Sequence, residues 1–187
     1  FHFYAPDVYQ GTTHVNAGLL AVLPKIAGIA ALIRIASIAM PGVEETGLRV
    51  TMILALLTMT LGNVVALWQD NVRRMLAYSS IAHAGYMLVG LAVDFAANKS
   101  DDPTLADVDG VGAALFYVAV YSLATAGSFA AFAYLGSRDK QIDTLDDLAG
   151  VGRKFPAVAL AIAVLMFSLT GLPPLAGFWG KFALFSG

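Results

Sequence analysis

The chain has no cysteine among its 187 residues. That excludes disulfides, thioether-attached haem, iron–sulfur clusters on Cys ligands and thiolate zinc sites. Charge is scarce as well. Only 13% of residues are charged and the formal net charge is -2, against roughly a quarter charged in soluble domains. So small a net charge argues against nucleic acid or an acidic substrate as partner. No nucleotide, metal or flavin motif is present. The start, FHFYAPDVYQG, has no initiator Met, no basic n-region and no cleavage-site pattern, and the last residues, ALFSG, stop inside an apolar run. Both ends lead us to expect an internal piece of a longer protein. What fills the chain is apolar surface: 58% hydrophobic residues and a mean hydropathy of +0.73. The expected class is therefore an all-α, polytopic integral membrane protein whose first partner is the lipid bilayer.

The stretch around which the rest is organised is SLTGLPPLAGFWGKF, Ser168 to Phe182. An apolar run from Pro156 to Thr170 is interrupted by Gly171, Pro173 and Pro174 and resumes at Leu175, carrying Lys181. Proline removes a backbone donor and clashes with the preceding turn, so tandem prolines break the helix and free carbonyls. In a membrane such groups are tolerated only within protein or beside a water-filled cavity. An ionisable residue beside the break marks an ion pathway. The competing reading is a lysine that snorkels to the interface from a helix end.

About five spans are expected, near residues 14–39, 50–69, 74–93, 110–135 and 156–186, as a fragment, over 1–187, of a single transmembrane domain. Residues 1 to 13 hold Pro6 and Gly11 and are expected to be a re-entrant or interfacial connector. The first span carries Pro24 and, near its middle, Lys25, too central to reach either surface comfortably; local unwinding is expected around Pro24. Arg34 lies nearer the far end, where it can snorkel. Pro41 to Gly47 is expected to be a tight polar turn. In the third span Ser79, His83 and Tyr86 share one helical face. His83 is a candidate proton relay, with a structural histidine bonded to neighbouring helices as the alternative. A polar loop containing Pro103 is expected from Asp94 to Asp109. In the fourth span Tyr117, Tyr121, Thr125 and Ser128 form a stripe, a pattern more typical of helix packing than of a substrate path. The TLDDLAG segment, Thr144 to Gly150, is expected to form a turn or two of interfacial helix with Thr144 as N-cap. Arg73, Arg74, Arg138, Lys140, Arg153 and Lys154 fall on one side of the membrane and Arg49 and Lys99 on the other, which puts the amino-terminal end and the connectors after spans two and four in the cytoplasm.

Three strings together, APDVYQG (Ala5 to Gly11), GNVVALWQDNVRRMLAYSSIAHAGYM (Gly62 to Met87) and SLTGLPPLAGFWGKF, resemble the N-type antiporter-like subunits of respiratory complex I, the proton-pumping NADH:quinone oxidoreductase. The resemblance covers nearly the whole chain and is closer than that to the L-type and M-type paralogues or the Mrp cation/proton antiporters. It implies that Lys25 occupies the place of the family's central connecting lysine and Lys181 that of the lysine on the second broken helix, both as proton carriers. A glutamate and a further lysine that the family carries before the APDVYQG string are not in these residues. Departures from the pattern are THVN (Thr13 to Asn16), in place of a PTPV-like string, and Arg73, where Lys is usual and the change is expected to matter little. The resemblance also implies a bacterial inner-membrane location and other membrane-arm subunits as partners. FMN, iron–sulfur clusters, NADH and quinone would belong to partner subunits, with no cofactor in this chain.

The chemistry expected is proton movement without covalent catalysis. Burial in a low-dielectric site disfavours the charged form of an amine, which is what lets a lysine take up and release protons near neutral pH. Water and side chains such as His83, Tyr86, Tyr121 and Ser122 are the expected carriers between Lys25 and Lys181. Two other readings stand beside this one: a subunit of a Mrp-type cation/proton antiporter, and a purely structural subunit whose lysines pair with carboxylates to hold helices together.

Overall fold

In a medium without water, backbone groups must be satisfied within their own segment, which drives so apolar a chain into helices. The computed structural model describes residues 4–39, 42–99, 109–136 and 142–186. A short helix α1 (Tyr4–Gln10) precedes four long helices, α2 (His14–Ala39), α3 (Glu44–Ala66), α4 (Val72–Lys99) and α5 (Gly110–Gly136). A connector holds a 3-10 turn (Asp146–Leu148) and the four-residue α6 (Val151–Lys154). It leads to α7 (Pro156–Thr170) and α8 (Ala176–Ser186). Helices α2 to α5 are each long and apolar enough to cross a membrane, and α7 is a shorter apolar helix. Among the described residues the one strand-like feature is an isolated antiparallel bridge between Asn71 and Thr144.

Several expected boundaries move. Helix α2 runs unbroken through Pro24, so the expected unwinding is absent; the proline removes one donor, that to the Leu20 carbonyl, and the turns on either side keep theirs. The segment before Gly11 is helical as α1. Glu44 and Glu45, expected in a turn, form the first turn of α3, where acidic side chains suit the helix dipole. The third long helix continues past Val93, through Asp94 and on to Lys99. Thr144 is not an N-cap. Its N–H and Oγ1 both donate to Asp147 Oδ2, each at 2.9 Å, so the aspartate ties the turn back on itself. Pro41, the loop centre with Pro103, and Arg138 and Lys140 lie outside the described residues.

Helix α5 is the centre of the bundle, packed by α2, α4, α7 and α8, and it buries Tyr117, Tyr121, Phe129 and Phe132. Helix α3 lies along α4. The approach is close because of Gly62: a Cβ there would stand 2.7 Å from the Ala82 nitrogen, and small residues are what let helix backbones meet in membranes. The outward faces of α2 and α3 expose Leu19, Leu23, Ile53 and Leu56.

One end of the bundle is tied by polar contacts between distant segments. The buried Arg73 donates through Nη2 to Asp143 Oδ1 and through Nη1 to the Thr12 carbonyl, both at 2.5 Å. Arg74 Nη1 donates to Asp7 Oδ1 at 2.7 Å and to Gln10 Oε1 at 2.8 Å. His14 Nε2 lies 3.0 Å from the Ile142 carbonyl, which fixes the start of α2 at the THVN departure. The amino-terminal segment, the α3–α4 turn and the α5–α7 connector therefore share one end, as the charge pattern requires. Arg73 has more consequence than its sequence position indicated, because a planar guanidinium reaches two acceptors that an ammonium cannot address with the same fork. Arg73→Ala is expected to destabilise the protein by about 1–3 kcal/mol, read as a lower thermal midpoint and reduced subunit content in membranes. Unchanged thermal stability would show that the tie is dispensable.

Candidate functional site

The break between α7 and α8 follows from four residues. Gly171 takes a left-handed conformation, φ 87°, closed by its N–H to the carbonyls of Phe167 and Ser168, each at 3.1 Å; glycine adopts this geometry without a Cβ penalty. In a continued helix the carbonyls of Leu169 and Thr170 would accept from residues 173 and 174. Both are prolines and have no N–H to give. The chain then folds back so that the Gly177 N–H donates to Ser168 Oγ at 3.2 Å, and a Cβ on Gly177 would overlap the Ser168 carbonyl.

Lys181, one turn into α8, supplies what the prolines remove. Its Nζ donates to the Leu169 carbonyl at 2.9 Å and to the Thr170 carbonyl at 3.0 Å. It also stands 4.9 Å from the centroid of the Tyr86 ring, a favourable position for a cation. The side chain is half-buried and turned back toward the break.

Lys25 sits across the bundle on α2. Its Nζ donates to the carbonyl and the Oγ of Ser80 on α4 and to Tyr121 Oη on α5 at 2.9 Å. Three oxygens thus meet the three N–H bonds of an ammonium. Between the lysines stands His83, 4% exposed. Its Nδ1 is 2.5 Å from Tyr117 Oη, and its ring centroid lies 5.1 Å from that of Tyr121 and 5.4 Å from that of Tyr86. The order Lys25, Tyr121, His83, Tyr86, Lys181 is a continuous line of polar and aromatic side chains through the interior.

Among the described residues, the hydrogen-bond acceptors of the two lysines are all neutral oxygens. A lysine held by neutral oxygens can change its charge without breaking an ion pair, whereas the structural reading needed carboxylate partners. The ion pairs seen among the described residues instead join Arg49 to Glu45, Arg73 to Asp143 and Arg74 to Asp7.

Lys25, His83 and Lys181, singled out in the sequence, are brought into one line with Tyr86 and Tyr121. Ser122 is not brought in: its Oγ is buried without a hydrogen-bond partner among the described residues. The serine that meets Lys25 is Ser80 and not Ser79. Both precede His83 at helical spacing, three and four residues away, and periodicity alone admits either. Tyr117 was assigned to packing, yet its hydroxyl is the partner of His83. Ser128, from the same stripe, does act as packing glue, its Oγ donating to the Ala124 carbonyl at 2.7 Å.

A polytopic bundle with a proline-broken helix, whose freed carbonyls face a half-buried lysine, defines an antiporter-like membrane protein. The chain belongs to the NADH:quinone oxidoreductase/Mrp antiporter transmembrane family, whose pattern matches residues 1–187. It is 46% identical over its full length to NADH-quinone oxidoreductase subunit N of Trichlorobacter lovleyi and 41% identical to that of Desulfitobacterium hafniense. It spans 36% and 38% of those two proteins. Among solved structures it is similar to a chain of respiratory complex I from Thermus thermophilus with bound aureothin, at a TM-score of 0.77 and 38% identity, covering all of this chain and 37% of that one. A chain of the membrane-bound sulfane sulfur reductase, an archaeal respiratory membrane complex, shares the fold at a TM-score of 0.80 and 24% identity, over 96% of this chain and 34% of that one.

Proposed function

We propose that this chain is part of a proton-translocating N-type subunit of NADH:quinone oxidoreductase in the bacterial inner membrane, with Lys25 and Lys181 as proton carriers and His83 as a relay between them. The observation that carries the reading is the pair of neutral-oxygen cages at the two ends of one buried polar line. Each cage supports the ammonium by hydrogen bonds while leaving it free to lose its proton, and the aromatic and imidazole groups between them offer rotating hydroxyls and ring nitrogens for transfer. Electron transfer among NADH, FMN, iron–sulfur clusters and quinone belongs in this reading to partner subunits, and other membrane-arm subunits would cover part of the exposed apolar surface.

The second reading is a Mrp-type cation/proton antiporter, favoured by the breadth of the family, whose description includes both kinds of protein. Purifying the full-length protein from its native membrane separates the two. Co-purification with flavin and iron–sulfur subunits is the expected result. Assembly only with other antiporter-like membrane proteins would replace the first reading with the second.

A further inference from the structure

Tyr117 of α5 lies where α4 and α8 meet. It is 2% exposed. The His83 ring stacks beside it, with centroids 5.9 Å apart and planes 30° from parallel, and the Tyr86 ring meets it edge-on at 6.3 Å. On the side of α8 stands Gly180, where a Cβ would come within 2.8 Å of Tyr117 Cδ2. A ring so enclosed cannot move aside, and it keeps its place because α8 carries no side chain at that position. The next residue of α8 is Lys181. One turn of helix therefore both seats Tyr117 and carries the lysine that faces the break.

The contact of 2.5 Å between Tyr117 Oη and His83 Nδ1 admits two arrangements of hydrogen. Either Nδ1–H donates to the phenol oxygen, or the phenol O–H donates to a bare Nδ1. In the first, the phenol hydrogen needs a second acceptor, and among the described residues the hydroxyl has no hydrogen-bond partner besides His83. A buried donor left unmet is costly, the more so in an interior of low dielectric. In the second, the one phenol hydrogen has its acceptor and the ring hydrogen falls on Nε2. The second arrangement is therefore the stable form of the neutral pair.

Resting on the reading of His83 as a relay, we propose that Tyr117 is the positioning residue of His83: seated against Gly180, it donates to Nδ1 and fixes the ring hydrogen on Nε2. His83 then presents a donor at Nε2 and takes up a second proton only at Nδ1, once the Tyr117 hydroxyl has turned aside. Tyr117 thus sets when His83 can be charged. A shift of α8 moves Gly180 and Lys181 together, so the seat of Tyr117 and the position of Lys181 change in one motion.

The test is nitrogen NMR of the assembled full-length complex with isotope-labelled histidine, the His83 signals being assigned by their loss in His83→Gln, together with proton uptake per NADH oxidised in vesicles and subunit content. The expected wild-type result is a hydrogen on Nε2 and a bare Nδ1; a hydrogen on Nδ1 overturns the proposal. Tyr117→Phe keeps the ring against Gly180 and removes only the hydroxyl. It is expected to leave subunit content normal, to abolish the single tautomer of His83 and to reduce uptake by about two- to tenfold, the size of one hydrogen bond. An unchanged tautomer or wild-type uptake in Tyr117→Phe overturns the positioning role. Gly180→Ala, which displaces the ring, is expected to disturb the tautomer in the same way, and if Tyr117→Phe lowers subunit content this variant decides: an unchanged tautomer there overturns the proposal. Wild-type uptake in His83→Gln would instead overturn the relay reading itself, a result separate from the tautomer.

Discussion

Lys181→Met is expected to abolish proton uptake driven by NADH while the complex still assembles. Methionine matches the length and apolar bulk of the lysine stem but carries no proton, so it takes away the proposed terminal carrier and leaves the α8 packing in place. Transfer by a positioned group contributes on the order of 10²-fold or more, enough to reduce uptake to background. The substitution also leaves the carbonyls of Leu169 and Thr170 without their donor, at a cost of about 1–3 kcal/mol for each one that water does not reach. Lys181→Arg separates the two effects: it can still donate to both carbonyls, yet a guanidinium does not release a proton in the working range. Normal assembly with lost uptake in both variants is the expected outcome. An unchanged proton-to-electron ratio in fully assembled Lys181→Met would instead make Lys181 a snorkelling residue whose role is to close the break.

Lys25→Ala is expected to lower both proton uptake and the coupled quinone reductase rate, with subunit content near normal. Alanine removes the titratable group without burying a new polar one. The size of the loss is again on the order of 10²-fold in the transfer step, because Lys25 hydrogen-bonds both Ser80 and Tyr121 from α2. Lys25→Arg restores charge and donors but not ready deprotonation, so only partial rescue is expected. Wild-type uptake and turnover in Lys25→Ala would take this residue out of the pathway.

The two lysines differ in how they are held, and that bears on mechanism. Lys25 is bound by side-chain hydroxyls as well as a carbonyl, and hydroxyls rotate to follow its charge. Lys181 is bound by two backbone carbonyls, which accept but cannot donate, so its neutral form can keep both bonds but finds no donor for its lone pair in them.

Composition and spacing alone determined that the chain is a helical membrane bundle, that its final apolar run is broken at Gly171 to Pro174, and that Lys25, His83 and Lys181 lie within its spans. These are properties of local backbone chemistry and of solvent preference: two prolines cannot donate, and an apolar run of more than twenty residues cannot leave its amides unpaired in lipid. The three-dimensional arrangement decided the rest. Pro24 leaves α2 intact although proline breaks α7, because a single proline costs one bond, whereas the tandem pair next to a left-handed glycine removes consecutive bonds and turns the chain. Ser80 and not Ser79 meets Lys25, and Tyr117 serves His83 while Ser122 and Thr125 find no hydrogen-bond partner among the described residues. A helical repeat places such residues on a face to within a turn, but which hydroxyl reaches across depends on the rotation and separation of α2, α4 and α5, set by the packing of many side chains at once. For the same reason Arg73, read in one dimension as a charge at a span end, became the tie between Thr12 and Asp143, residues separated from it by 61 and 70 positions along the chain.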